Sequence, residues 1–131
     1  MTDARGIKHV PGDALSDQTA QTAGMVREEA ISQKTAGSSE IWMGRTTVPP
    51  HTDSGPHHHG HSETCIYIVE GNPVFRYVLD GHEHAVETAP GDYVFVPPHV
   101  HHIEENPHDV PAVVVIARST QEAIVENLDH L

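Results

Sequence analysis

Histidine is the residue type through which this chain could perform chemistry. Its 131 residues include 13 His, against 7 Lys and Arg together, and imidazole is the commonest metal ligand among side chains. Two dense clusters occur, His57-His58-His59-Gly60-His61 and His99-Val100-His101-His102. Residues i and i+2 of a strand share a face, so we expect His57 and His59 to project together and His58 to point the other way.

A carboxylate lies close to the first cluster. Glu63 comes four residues after His59, and Gly60 between them permits a tight reversal that would return the carboxylate to the same point. The second cluster supplies candidates for a further ligand. Three imidazoles with one carboxylate suit Fe, Mn, Ni, Cu or Zn better than Ca or Mg. We therefore expect one divalent transition metal as the cofactor.

The elements that must position these side chains are short strands. From Glu40 onward, short apolar runs recur between Gly, Pro, Asn and Asp residues, which is the pattern of an all-β sandwich or barrel. The expected strands are Ile41–Val48, Glu63–Val69, Val74–Leu79, His84–Thr88, Tyr93–Val96, Val100–Glu104, Ala112–Ala117 and Ala123–Leu128. The last of these is ambiguous, because Ser119 and Glu122 also fit a capping box for a helix from Thr120.

The first part of the chain has a different composition. Residues 1–39 are weakly hydrophobic and rich in Asp, Gln, Thr, Ala and Gly, so we expect an irregular arm that is partly disordered or exchanged within a homodimer. The barrel domain is then expected over residues 40–131. Within the arm, Met25–Ile31 fits either a short edge strand or a helical turn.

Two stretches of the sequence resemble the motifs of the cupin family. Gly55–Gly71 holds the His-x-His pair, a Glu four residues beyond it and a closing Gly. Gly81–Asn106 holds a Pro-Gly-Asp turn followed by Pro97 and His102 at the family's spacing. The resemblance covers about Ile41 to Ala117. It implies an all-β fold, the cupin-type double-stranded β-helix or jelly-roll barrel.

The same resemblance implies a ligand set. Carried over residue by residue, the metal ligands would be His57, His59, Glu63 and His102. Such a site in an octahedral field leaves two positions open for water, substrate or dioxygen, which distinguishes a working site from a closed structural one.

One departure from the family pattern leaves open whether the Glu63 carboxylate is a metal ligand. Glu63 lies eight residues before Gly71, where the family has seven, so Thr64 occupies the register of the family's Glu. A slip of one residue turns a side chain to the other face of a strand. Either a bulge near Gly60 restores Glu63, or the site has three histidines without a carboxylate. His61 is a separate candidate for a substitute ligand.

Further side chains are candidates for roles around the metal. Cys65 and Tyr67 share strand parity with Glu63, so all three are expected to face the same way. We expect Glu63 and Tyr67 to be the catalytic residues, and Cys65 to be a small buried thiol. Arg45 and Arg76 are candidates to anchor a substrate carboxylate by a bidentate contact.

Composition limits the possible partners. The chain has 7 basic and 19 acidic residues, a net charge of −12 with His neutral, which argues against nucleic acid and against an anionic membrane surface. No apolar run approaches the roughly 20 residues of a membrane helix. The polar N-terminus also lacks the apolar stretch of a signal peptide. We therefore expect a cytoplasmic protein with a small-molecule substrate.

The expected function is that of a mononuclear metal-binding cupin, a metal-dependent enzyme of the oxygenase or lyase type. Cupins include dioxygenases, isomerases, lyases and decarboxylases, so the resemblance fixes no single reaction. One alternative is a non-catalytic module that binds a small molecule or a metal. Another is metal storage through the surplus histidines, which predicts more than one metal ion per chain, whereas the enzyme predicts one.

Overall fold

Two antiparallel sheets form a barrel in this computed structural model, which describes residues 5–131. The described part contains one short helix, α1 (Gln33–Ala36). Its strands are β1 (Val26–Ile31), β2 (Trp42–Val48), β3 (Thr52–Asp53), β4 (His57–His58), β5 (Thr64–Glu70), β6 (Val74–Leu79), β7 (His82–Glu87), β8 (Tyr93–Val96), β9 (His102–Asn106), β10 (Ala112–Arg118) and β11 (Glu126–Asn127). The first sheet has the order β1-β2-β10-β5-β8 and the second β11-β4-β9-β6-β7, while β3 pairs with β9. This arrangement confirms the all-β, jelly-roll prediction.

Alternating side chains fill the space between the sheets. Along β2 and β5 buried positions alternate with more exposed ones, and Trp42, Ile66 and Ile68 are almost fully buried. Each such side chain stabilises the fold by about 1.5–3 kcal/mol. The Trp42 indole N–H donates to the Glu29 carboxylate at 3.0 Å, and the Arg118 guanidinium lies 4.0 Å from the centre of the indole ring. The core thereby fixes which face of each strand looks inward.

Most strand positions agree with the sequence-based prediction. Val74–Leu79 and Tyr93–Val96 have the predicted bounds, and the other predicted strands between β2 and β10 shift by one or two residues at either end. The short strands β3 and β4 and the helix α1 were not predicted. No helix among residues 5–131 is long and apolar enough to cross a membrane.

The C-terminal segment forms little regular structure. The predicted strand Ala123–Leu128 shrinks to Glu126–Asn127, and the alternative helix from Thr120 does not form. Ser119 is unavailable as a helix cap, because its hydroxyl accepts the backbone N–H of Glu63 at 3.0 Å. Long-range pairing therefore replaces the local capping that the sequence pattern indicated.

The N-terminal segment packs on the barrel through an edge strand. Val26–Ile31 pairs antiparallel with β2, which confirms the strand alternative over the helical turn. Glu29 is 4% exposed and also exchanges backbone hydrogen bonds with Ser16. Residues 1–4 lie outside the described part. The exchange of this segment within a homodimer remains a prediction.

Asn106, at the end of β9, connects three chain segments. The side chain is 1% exposed; its amide donates to the carbonyls of Val48 at 3.1 Å and Val110 at 2.7 Å, and its oxygen accepts the His108 N–H at 3.2 Å. We predict that Asn106→Ala lowers the free energy of unfolding by about 1–3 kcal/mol, because buried carbonyls lose their donor. Urea unfolding followed by circular dichroism measures the change.

Asn127→Ala is the matched control. Asn127 is exposed on the short strand β11, and an exposed substitution usually changes stability by less than about 0.5 kcal/mol. Equal losses in the two variants would contradict the assignment of the effect to the buried hydrogen bonds.

Candidate metal centre

Three imidazoles meet inside the barrel. His57 begins β4, His102 begins β9, and the two residues are register partners, while His59 follows β4. The ring of His102 has its centroid 4.4 Å from that of His57 and 5.0 Å from that of His59. One ligand atom from each of the three residues lies within 4.8 Å of the others, so the group could hold a metal ion.

Backbone carbonyls fix the tautomer of each ring. Nδ1 of His57 lies 2.9 Å from the Gly55 carbonyl, and Nδ1 of His102 lies 2.9 Å from the Val100 carbonyl. A carbonyl oxygen can only accept, so each Nδ1 carries the proton and donates it. His59 makes the same bond, at 2.8 Å, to the carbonyl of Ile124. Each ring therefore presents its Nε2 lone pair, which is the arrangement that metal-ligating histidines adopt.

The neighbouring His58 has the opposite arrangement. Its Nδ1 accepts the Gly60 N–H at 3.0 Å, so the proton resides on Nε2, which lies 3.1 Å from the Glu126 carboxylate. The ring stacks outside the triad on His101, with centroids 5.4 Å apart. Both nitrogens of His58 are engaged outside the chamber, so His58 points away from the three inward imidazoles, as strand alternation predicts.

Burial keeps the three inward imidazoles neutral. Desolvation lowers the pKa of His59 to about 4 and that of His102 to about 3, and it lowers the pKa of His57 as well. The neighbouring imidazoles lower these pKa values further. Because only a neutral imidazole ligates a metal ion, protons do not compete for these nitrogens near neutral pH.

A small polar chamber surrounds the rings. It has a volume of about 40 Å³, and its walls include two guanidinium groups, Arg27 from β1 and Arg118 from β10. Hydroxyl groups of Ser54 and Thr64 also line it. Burial lowers the pKa of Arg118 to about 10, so this group stays charged at neutral pH. Two cations therefore stand near the imidazoles.

Glu104 brings a carboxyl group to the same chamber. It is 9% exposed, and among residues 5–131 its Oε1 has no hydrogen-bond partner. Burial raises the pKa of Glu104 to about 7, and the charge of Arg27 opposes that rise. An unpaired buried oxygen costs about 1–3 kcal/mol, and a bound water, an ion or a catalytic role would account for it.

Glu63 and Tyr67 lie on the other side of β5 from the imidazoles. Both are exposed, whereas Thr64 and Ile66 between them are buried and line the chamber. The structure therefore does not bring Glu63 into the histidine group, and Thr64 takes the inward position that its distance from Gly71 indicated. Strand alternation decides this outcome, because Ile66 and Ile68 face the core and residues of the opposite parity must then face outward.

The other candidates also lie away from the chamber. Cys65 is exposed, which corrects the prediction of a buried thiol. Arg45 forms an ion pair with Glu28, and Arg76 pairs with Glu83 and with a second carboxylate on β9. His61 is exposed as well. The cations that face the imidazoles are instead Arg27 and Arg118.

Sequence reasoning missed Glu104 and Arg27. Glu104 could have been found, since it is two residues beyond His102 on the same strand and must share its inward face. Arg27 carried no comparable signal, because β1 reaches the barrel only through long-range pairing with β2.

The chain belongs to the cupin family. The family's sequence model, described as Cupin domain, matches residues 44–118, more than half of the chain. The matched region includes His57, His59, Glu63 and His102. No curated protein matches the chain.

Solved structures with the same fold are larger proteins. Recombinant oxalate oxidase in complex with glycolate is 15% identical with a TM-score of 0.71, and the match covers 86% of this chain and 60% of that one. A Bacillus subtilis oxalate decarboxylase is 23% identical with a TM-score of 0.73, over 85% of this chain and 30% of that one. This chain therefore spans less than two thirds of either protein, and the likeness establishes the shared fold.

The lowered histidine pKa values make the stability of the metal-free chain depend on pH. Between their folded pKa values, about 3 and 4 for His102 and His59, and the ordinary 6.5, the unfolded chain binds more protons than the folded chain. We predict that the free energy of unfolding falls as pH decreases below 6.5, by about 1.4 kcal/mol per pH unit for each buried imidazole. Urea unfolding at a series of pH values tests this.

Two variants separate the contributions. Glu104, with its raised pKa, has the opposite sign: its contribution is full below pH 4.5 and is lost as pH rises through about 7. Glu104→Gln should therefore steepen the fall on acidification, and His102→Gln should flatten it. His82→Gln, at an exposed position, should change nothing. A slope unaffected by His102→Gln would contradict the assignment to the buried rings.

Proposed function

We propose that this cupin holds one divalent transition metal ion on His57, His59 and His102 and acts as a metal-dependent enzyme on a small molecule. The observation that carries the proposal is the shared tautomer of the three rings, each with Nδ1 donating to a carbonyl and Nε2 free. Packing alone does not require three imidazoles to direct their Nε2 lone pairs into one chamber, whereas binding of a metal ion does. The proposal assigns no ligand role to Glu63.

The donor set fits this group of metals. Three neutral nitrogens suit Mn, Fe, Ni, Cu or Zn. Their ligand atoms lie within 4.8 Å of one another, and tetrahedral binding with metal–nitrogen bonds of about 2.1 Å would bring each pair to about 3.4 Å. Three protein ligands leave coordination positions open. A bound ion would supply Lewis acidity or, for a redox-active metal, electron exchange with substrate or dioxygen.

The residues around the imidazoles support an oxygenase or lyase acting on an anionic substrate. Arg27 and Arg118 provide positive charge at the chamber wall, and Glu104 and Thr64 provide hydrogen-bonding groups. Oxalate oxidase, which binds glycolate, and the decarboxylase of Bacillus subtilis, which has Mn(II) centres, share the fold. We propose a small carboxylate as the substrate head group and manganese as the first metal to test.

Elemental analysis of the untagged protein tests the metal site. We predict one ion per chain, and we predict that His102→Ala and His59→Ala weaken binding by more than the 10- to 100-fold that loss of an outer-shell partner costs. Glu63→Gln and the exposed variant His82→Ala should retain the ion. Loss of metal in Glu63→Gln would instead support the prediction that Glu63 is a metal ligand. Several ions per chain, retained in His102→Ala, would favour metal storage.

Turnover distinguishes the enzyme from a binding module. The metal-loaded chain is incubated with a panel of small carboxylates, with and without dioxygen, while substrate loss and oxygen uptake are recorded. We predict consumption that disappears in His102→Ala and persists in His82→Ala. A ligand that binds but is recovered unchanged under both conditions would favour the non-catalytic alternative.

A further inference from the structure

A second, larger cavity also has His102 in its wall. It is a cleft of about 420 Å³, against about 40 Å³ for the chamber around the imidazoles. Strand β7 lies at one edge of its sheet and β8 at one edge of the other, and residues of both line the cleft. His102 and Val96 belong to the walls of both cavities.

The small chamber cannot enclose an organic substrate. A water molecule needs roughly 10–15 Å³ of such a volume, so about 40 Å³ holds only a few water-sized groups. A cavity of about 150 Å³ is known to hold benzene, and the cleft is more than twice as large. The chamber is therefore too small for the body of an organic substrate, whereas the cleft, which shares His102 with it, is large enough for one.

Aromatic side chains are concentrated at this cleft. The whole chain has only six aromatic residues, and four of them, Phe75, Tyr77, Tyr93 and Phe95, line the cleft. Tyr93 and Phe95 are 81% and 54% exposed, and the Tyr93 ring also lies against Tyr67, with centroids 4.9 Å apart. Aromatic rings favour other rings in stacked or edge-on contact.

Tyr77 connects the cleft to the metal-ligating group. It is the register partner of His102 on one side and of His84 on the other, and its ring stacks on His84 with centroids 5.0 Å apart and an angle of 17°. Tyr77 and His84 thus form a stacked pair of rings, and Tyr77 is the neighbour of His102 across the sheet.

We propose that the cleft binds the aromatic body of a small carboxylate whose charged head reaches the imidazoles. The placement of the head rests on the metal site proposed above, whereas the binding of the body rests on the cleft alone. The ligand class is an aryl-substituted carboxylic acid, in contrast to oxalate and glycolate, which have no apolar body.

Phenylacetate and acetate are suitable probes, because they share the head and differ by one phenyl group. Isothermal titration of each into the full chain, with and without Zn(II), should give at least tenfold tighter binding of phenylacetate. Val86→Gln alters the cleft wall at a residue that is 40% exposed, and Val69→Gln, 42% exposed and outside the cleft, is its matched control. We expect the preference to fall at least fivefold in Val86→Gln and to stay within twofold in Val69→Gln.

Each outcome has one meaning. Equal binding of the two probes, or equal effects of the two variants, overturns the cleft proposal even if metal is bound. A phenyl preference without any metal uptake supports the cleft and contradicts the proposed metal site. A stable dimer by light scattering that Val86→Gln converts to monomer, with no phenylacetate binding, would assign the cleft to a second copy of the chain and overturn the proposal.

Discussion

A buried neutral imidazole has one proton to place, and in this barrel the backbone decides where that proton goes. Desolvation makes the charged form of His57, His59 and His102 unfavourable, so each ring needs an acceptor for its single N–H. In each case a carbonyl takes the proton of Nδ1. The lone pair of Nε2 is then directed into the chamber, and the chemistry proposed for the site depends on this one constraint.

The three acceptors have different origins, which ties the site to the whole fold. The carbonyls for His57 and His102 come from two residues earlier in each chain segment, so local strand geometry supplies them. The carbonyl for His59 comes from Ile124, 65 residues away. The C-terminal segment has little regular structure, yet it completes the site, because without it the His59 ring would lose its orientation.

Strand parity made part of the arrangement of side chains around the chamber predictable from the sequence. The i, i+2 rule placed His57 with His59 and turned His58 away, and it would have placed Glu104 beside His102 had it been applied there. The same rule explains why the Glu63 side chain points outward, since the buried isoleucines on β5 fix which alternate residues face inward. The position of Arg27 lay beyond such reasoning, because it depends on pairing between strands separated by a loop and a helix.

The outward position of Glu63 changes the charge balance of the chamber. A divalent ion held by three neutral imidazoles would keep its full charge of +2, where a carboxylate ligand would reduce it to +1. Arg27 and Arg118 add to that charge, and Glu104 is the acidic group that opposes it. Coulomb interactions are several times stronger in such a water-poor space than in solvent. The chain's net charge of −12 acts mainly through solvent, where dissolved salt screens it. With such an ion bound, the local field would favour an anionic head group at the imidazoles, in keeping with the proposed substrate class.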